Sequence, residues 1–238
     1  MSEEAAAAAL PSPPSWARQT LTVLRKDLLI ELRTGEVVTT SGFFALLVVV
    51  LSSLSFYGGP AGSRTVASGV IWLSVSFAAV LALGRTFQRE REESALDGLL
   101  GAPVFRSAIF AGKAAGVLIF LLVVEAVVIP VCLLLFAIEP GETALGLVAF
   151  ALCATPGVAA SGTLFGAMTV RTRARDLILG IVLFPLQAPT LLAAVAGTRE
   201  LFSGVPVQEL GDYLELMLVF DVAFIAGGLG LFGSLIER

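Results

Sequence analysis

The sequence predicts an all-α polytopic membrane protein with six transmembrane helices and an N-terminal amphipathic helix at the membrane surface. Of its 238 residues, 57% are hydrophobic and only 14% are charged. Soluble domains are about 45–50% apolar and about 25% charged. The mean hydropathy is +0.93, and apolar runs of about 20 residues, enough to span a bilayer, recur between short connections. These observations exclude an ordinary soluble domain.

The N-terminal region divides into a tail and a helix. Residues 1–14 are rich in Ala and Pro, which is typical of a disordered tail. Residues 15–35 form the predicted helix, with Ser15 in the capping position and Gly35 at its end. An apolar stripe follows helical spacing, basic residues flank it, and Trp16 suits the headgroup level, which predicts an interfacial helix. The stripe is Ala17, Leu21, Leu24, Leu28 and Leu32, and the basic flank is Arg18, Arg25, Lys26 and Arg33. The alternative is a solvated helix packed against a partner protein.

Residues 36–238 are expected to form one transmembrane domain. Apolar runs of spanning length cover about 38–57, 66–84, 114–137, 143–169, 177–197 and 214–236. Of the 15 Lys and Arg residues, all except Arg64 and Arg199 fall in the N-terminal segment, the second and fourth connections or the C-terminal tail. Because positive residues in short loops stay on the cytoplasmic side, both termini are predicted to be cytoplasmic.

The second connection contains a short helix that is not a span. Its first half, rich in Arg and Glu, predicts that the second span projects into the cytoplasm as a helix. Ser94 can then cap a new turn together with Asp97, and Gly101 and Pro103 end it. This helix, at about 94–100, presents Leu96, Leu99 and Leu100 beside Asp97. The leucines can form a docking surface or fold back against the membrane interface, and both alternatives stay open.

The residue types that most catalysis requires are missing or misplaced. Histidine is absent, which removes the commonest metal ligand and general base. The pair Gly112-Lys113 lacks the upstream glycine and the following Ser or Thr of a phosphate-binding loop. No dense basic tract is available to bind nucleic acid. We therefore expect neither an enzyme nor a metal site, and no ATP hydrolysis by this chain.

Acidic residues and prolines interrupt the spans. Glu125 and Asp221 lie within apolar runs, where an ionised group costs about 2.5–3.5 kcal/mol, so each is expected to face the bundle interior, a polar path or a partner. A role in a translocation path and a structural helix contact both stay open. Prolines predict kinks or breaks, above all in the fifth span, where Gln187 lies between two of them. The prolines within spans are Pro130, Pro156, Pro185 and Pro189. The connection at 197–213 is apolar enough for a short element at the outer surface.

Several stretches together resemble one family. The first stretch is Leu83-Gly-Arg85 to Phe87. The second begins at Arg89, continues as Glu-Arg-Glu-Glu-Ser-Ala-Leu-Asp-Gly-Leu-Leu-Gly-Ala and ends at Pro103. The third is the pair Gly112-Lys113. They are similar to CcmB, the haem exporter B subunits of cytochrome c maturation, which are ABC-2 permeases of the type V exporter kind. Leu24-Arg-Lys-Asp27, Glu31 to Arg33 and Gly69-Val-Ile-Trp72 fit as well. The resemblance covers most of residues 20–236.

The resemblance implies a complex in the bacterial inner membrane. It implies a homodimer bound by two copies of a separate CcmA-like ATPase, which binds the ATP, with CcmC-like and CcmD-like membrane subunits nearby. Ser94 to Leu100 would be the coupling element that the ATPase holds. Nucleotide-driven movement there would release a haem-loaded CcmE-like chaperone on the outer face.

This sequence contains few residues that could coordinate haem iron. Protein-bound haem usually has an axial His, Cys, Met or Tyr, and no facing pair is evident among the candidates. These are Met168, Met217, Cys132, Cys153, Tyr57 and Tyr213, and only Arg64 and Arg199 could meet propionates on the outer side. We therefore expect no tightly bound cofactor. Two other functions stay open: an ABC-2 permease for a lipid, glycan or drug, and an ion-coupled carrier using Glu125 and Asp221.

Overall fold

The computed structural model describes residues 14–56, 59–92, 98, 103–141, 143–169 and 175–236. All regular structure in these residues is helical, which confirms the predicted fold class. Within the described ranges, six helices are long and apolar enough to cross a membrane. The helices are α1 Trp16–Thr34, α2 Glu36–Ser55, α3 Gly59–Glu92, α4 Arg106–Leu135, α5 Thr143–Thr169, α6 Arg175–Phe202 and α7 Gly211–Ile236, with a short 3-10 helix at Val207–Glu209.

The bundle has two ends. The first end holds α1, the C-terminal end of α3 and the N-terminal end of α4, and the second end holds the turn between α4 and α5 and the 3-10 helix. The central helix is α4, which packs against α1, α2, α3, α5 and α7. Each of the six spans therefore crosses between the two ends, and α1 does not.

One helix boundary differs from the sequence prediction for a physical reason. The third span was expected to start at residue 114, after Lys113, but α4 begins at Arg106. Lys113 is fully buried and paired with a carboxylate of α1, so a charge at this position does not mark the end of the buried helix. The projection of α3 beyond the second span is confirmed, because this helix continues to Glu92.

The expected interruption of the fifth span is wrong. Helix α6 continues through both Pro185 and Pro189, and α4 and α5 likewise continue through their prolines. A proline removes one helical hydrogen bond and crowds the preceding turn, but neighbouring helices can support the remaining backbone in a membrane bundle. Gln187 is only 1% exposed, so this part of α6 is enclosed by protein.

Glycines allow the spans to approach one another closely. Gly162 and Gly166 of α5 lie against the side chains of Leu83 and Phe87 of α3, and Gly228 of α7 lies against the ring of Phe110. A Cβ atom at any of these glycines would collide with the facing side chain. Small residues at helix crossings are the usual means of close packing in membranes.

Two features hold the end of α6 and the connection that follows it. The indole Nε1 of Trp72 on α3 donates a hydrogen bond to Thr198 Oγ1 on α6 at 2.9 Å, in a buried position. The connection at 197–213 contains the predicted short element as the 3-10 helix, and its apolar residues Leu201, Phe202 and Leu210 are buried. This connection therefore closes the second end of the bundle.

Candidate functional site

Helix α1 crosses α4 at two glycines. A Cβ atom at Gly112 would lie 2.7 Å from Val23 Cβ and 2.8 Å from the carbonyl oxygen of Thr20. Gly116, one turn further, faces Asp27 across ordinary contact distances of 3.7–3.8 Å. The spacing of four residues places both glycines on one face of α4. The backbone of α1 therefore lies directly on α4 at Gly112.

Polar side chains of α1 bind the start of α4. Trp16 Nε1 donates to Ser107 Oγ at 3.0 Å. The backbone N–H of Phe105 donates to Gln19 Oε1 at 2.8 Å, and Gln19 Nε2 donates to the Pro14 carbonyl at 2.8 Å. Gln19 is thus a bridge between the chain entering α1 and the chain entering α4, directly after the connection from α3.

A buried ion pair completes this contact. Lys113 is fully buried, and its Nζ lies 3.3 Å from Asp27 Oδ2 and 5.7 Å from the centroid of the Phe87 ring. Lys26 Nζ lies 3.2 Å from the other Asp27 oxygen. We call the set Trp16, Gln19, Asp27, Phe105, Ser107 and Lys113 the α1–α4 junction. Through Phe87 it also reaches α3.

Glu31 joins α1 to α2. Its carboxylate accepts the backbone N–H of Val38 at 2.8 Å and that of Val37 at 3.2 Å. These are orphan donors in the first turn of α2, so Glu31 acts as a cap supplied from the preceding helix. Gly35 makes the turn possible because it adopts a left-handed conformation with φ of 61°. Its N–H also bonds the Glu31 carbonyl at 2.7 Å, which ends α1.

The two carboxylates inside the spans lie against one turn of α5. Glu125, 2% exposed, accepts the hydroxyl hydrogen of Thr155 at 2.7 Å through Oε1. Asp221, 4% exposed, places Oδ1 against Gly157, where a Cβ atom would collide with it. Pro156 lies between these contacts and has no N–H to donate, so this turn of α5 lacks one helical bond. Both carboxylates are therefore buried in the bundle, which is one of the three positions expected for them, and their role in a translocation path stays a prediction.

The other predicted site residues have different outcomes. Residues Ser94, Leu96, Asp97, Leu99 and Leu100 of the predicted coupling helix lie outside the described residues. The interfacial-helix residues Trp16, Arg18, Arg25, Lys26 and Arg33 all lie on α1, with the three arginines exposed. Ser15 occupies the N-cap position, but its hydroxyl makes no capping bond. The stripe residues Leu21 and Leu32 point away from the bundle, and the interfacial position stays a prediction.

Sequence reasoning missed the buried face of α1. That face is Gln19, Val23, Asp27 and Glu31, a mostly polar set repeating every four residues, which is the spacing of one side of a helix. The apolar stripe predicted a membrane-facing side for α1, whereas the polar face is the one that packs against the bundle. A mostly polar i, i+4 row combined with a lysine between small residues in a later span is the signal that could have indicated the junction.

Among the described residues, no group of three or more His, Cys, Asp or Glu side chains could hold a metal ion. The sulfur and phenol candidates for a haem ligand are spread over α4, α5 and α7, and Tyr57 lies outside the described residues. Six spans around buried carboxylates, with an amphipathic helix ion-paired to the bundle, define a polytopic α-helical membrane protein.

The comparisons with known proteins identify the family. The chain belongs to the CcmB family, because the family model described as CcmB protein matches residues 18–229. It is 30% identical over 191 residues to Heme exporter protein B of Rhodobacter capsulatus, covering 78% of this chain and 85% of that protein. It is 29% identical over 221 residues to Heme exporter protein B of Bradyrhizobium diazoefficiens, covering 90% of this chain and 95% of that protein.

Proposed function

We propose that this chain is the permease subunit of a haem-exporting ABC complex in c-type cytochrome biogenesis. The single observation that carries the proposal is the family match over residues 18–229. The chain would contribute no ATPase site of its own and would act in a bacterial inner membrane with both termini cytoplasmic. ATP hydrolysis by a separate CcmA-like subunit would drive haem delivery, or release of a haem-loaded CcmE-like chaperone, on the outer face.

The α1–α4 junction supports a mechanical role at the first end of the bundle. The connection that contains residues 94–100 enters α4 at Phe105, and Gln19 and Trp16 bind that entry point. Glu31 then joins α1 to the start of α2. A displacement of the connection by a bound ATPase would therefore be passed to α1 and, through the capped turn at Gly35, to α2.

The proposal includes a partner set. The chain would form a homodimer that binds two CcmA-like ATPase subunits, with CcmC-like and CcmD-like subunits beside it in the bilayer. Residues 94–100 would be the element that the ATPase holds, with Leu96, Leu99 and Leu100 in an apolar groove and Asp97 at its edge.

Co-purification from the native membrane tests the coupling. We expect the triple variant Asp97→Ala, Leu99→Ala, Leu100→Ala to lose the ATPase and its nucleotide turnover. The matched control is the double variant Leu134→Ala, Leu145→Ala, which truncates strongly exposed leucines toward the second end. It should retain both. If association and turnover persist in the triple variant, residues 94–100 are not the joint.

We further propose that the chain transmits movement without holding haem tightly. Incubating the purified chain with haem and recording its absorption spectrum tests this directly. We expect no stoichiometric low-spin spectrum, whereas a sharp one would show an axial ligand pair and contradict the proposal.

A further inference from the structure

A groove between α4 and α5 is open to the side of the bundle. It has a volume of about 670 Å³. Its floor consists of the buried residues Glu125, Leu133, Ile138, Leu147 and Ala151. Its rim includes Leu134, which is 78% exposed, as well as Val148 and Leu152. Because exposed apolar residues on spanning helices face hydrocarbon, the groove is open to the lipid phase.

The groove presents polar atoms that lack their usual hydrogen-bond partners. Glu125 Oε1 is bonded to Thr155, but Glu125 Oε2 has no partner among the described residues. Pro130 has no N–H, so the carbonyl oxygen of Ala126 lacks its usual helical donor. Ala126 and Pro130 both line the groove, and the described lining side chains other than Glu125 are aliphatic. A buried acceptor without a partner costs about 1–3 kcal/mol, which a donor on a bound molecule would recover.

The dimensions of the groove restrict what can occupy it. Residues 122–134 of α4 line the groove and rise about 18 Å along the helix. The groove is therefore elongated along α4, and its aliphatic lining matches a single extended aliphatic chain. Haem is a poor match, because the described lining residues include no His, Cys, Met or Tyr and no cation.

We propose that this groove binds a single-chain molecule dissolved in the bilayer, whose buried end carries a hydroxyl group that forms a hydrogen bond with Glu125. The aliphatic body lies along Leu133, Leu147 and Ala151. The site is separate from the α1–α4 junction and does not depend on the proposed export function.

Photolabelling of the full chain in phosphatidylcholine nanodiscs tests the proposal. The probe is hexadecanol carrying a diazirine, and the comparison probe is the same chain without the hydroxyl. We expect the alcohol to label peptides of α4 and α5 and unlabelled hexadecanol to compete. Loss of a hydrogen bond of about 1 kcal/mol predicts about fivefold less labelling in Glu125→Leu. Ala126→Phe, which fills the groove, should lower labelling at least as much.

The controls distinguish labelling in the groove from labelling at other lipid-facing surfaces of the protein. Val219→Phe places the same side chain at an exposed position of α7 and should leave labelling unchanged. In Glu125→Gln the carbonyl oxygen keeps the bond from Thr155, and the NH₂ group that replaces Oε2 can donate to the hydroxyl oxygen of the alcohol. This variant should therefore retain labelling, and it answers the question even if Glu125→Leu does not fold. Equal labelling by the two probes would overturn the proposal. Loss of labelling in Glu125→Gln, or a partner polypeptide that crosslinks to Val148 and excludes the probe, would also overturn it.

Discussion

Asp27 on α1 and Lys113 on α4 form an ion pair with 3.3 Å between Oδ2 and Nζ, although 86 residues separate them in the chain. The ammonium group is fully buried, while Asp27 also faces the partly exposed Lys26. The pair therefore fixes α1 to the bundle, because the carboxylate of α1 compensates the buried positive charge of α4.

Asp27→Asn is expected to destabilise the protein by about 3 kcal/mol, because it removes the carboxylate beside a buried ammonium group. Lys113→Met should cost less, since Asp27 keeps Lys26 and the new side chain is apolar. Unfolding of the purified chain by titration with a denaturing detergent measures both variants. An equal loss of stability in the two variants would contradict the idea that the buried Lys113 needs Asp27 more than Asp27 needs Lys113.

Gly112→Ala and Gly116→Ala form a matched pair on one face of α4. The new Cβ at residue 112 would lie 2.7 Å from Val23 Cβ, whereas at residue 116 the nearest atoms lie at 3.7 Å. We expect a loss of about 1–3 kcal/mol for the first and little change for the second. Faster tryptic cleavage at Arg18 and Arg25, in Gly112→Ala only, would report that α1 has separated from α4. Similar cleavage in both variants would argue against close packing at Gly112.

Glu31→Ala removes the cap on α2. Caps of this kind contribute about 1–2 kcal/mol, so the amides of Val37 and Val38 should exchange their hydrogens about tenfold faster, as measured by mass spectrometry. Glu36→Gln is the control, because Glu36 pairs with Arg85 at 3.5 Å on an exposed surface, where such pairs contribute little. If exchange at Val37 and Val38 does not change in Glu31→Ala, the carboxylate is not the cap.

Glu125→Gln should leave the stability and the assembly of the complex nearly unchanged, because the amide carbonyl can still accept the hydroxyl hydrogen of Thr155. Thr155→Val, which deletes that donor, should cost about 1–3 kcal/mol. Size-exclusion profiles and detergent unfolding measure both. If Glu125→Gln assembles normally but abolishes cytochrome c maturation in cells, the carboxyl group has a mechanistic role beyond the helix contact.

The sequence predicted those features that depend on local pattern. Six runs of apolar residues gave the six spans, and Gly35 correctly ended α1, because span length and helix stops are properties of a short window. The cost of exposing a charge to lipid predicted that Glu125 and Asp221 face the bundle interior, a polar path or a partner, and the structure buries both.

Features that depend on partners far apart in the sequence could not be predicted from a local pattern. Lys113 resembled the polar end of a span because its carboxylate partner comes from a helix 86 residues earlier. The prolines of α6 suggested a break because the sequence does not show that neighbouring helices enclose Gln187. The convergence of Glu125 and Asp221 on one turn of α5 likewise depends on how three helices pack.

The hydrogen bond between Trp72 and Thr198 joins α3 to α6 at one point within the bundle. Trp72 lies about 20 Å along the helix from Gly59 and about 30 Å from Glu92. If α3 turns as a rigid rod about this point, a sideways shift of about 3 Å at Glu92 moves Gly59 by about 2 Å in the opposite direction. Such a displacement of α3 on one face of the membrane would therefore move its other end in the opposite direction, by a distance about a third smaller.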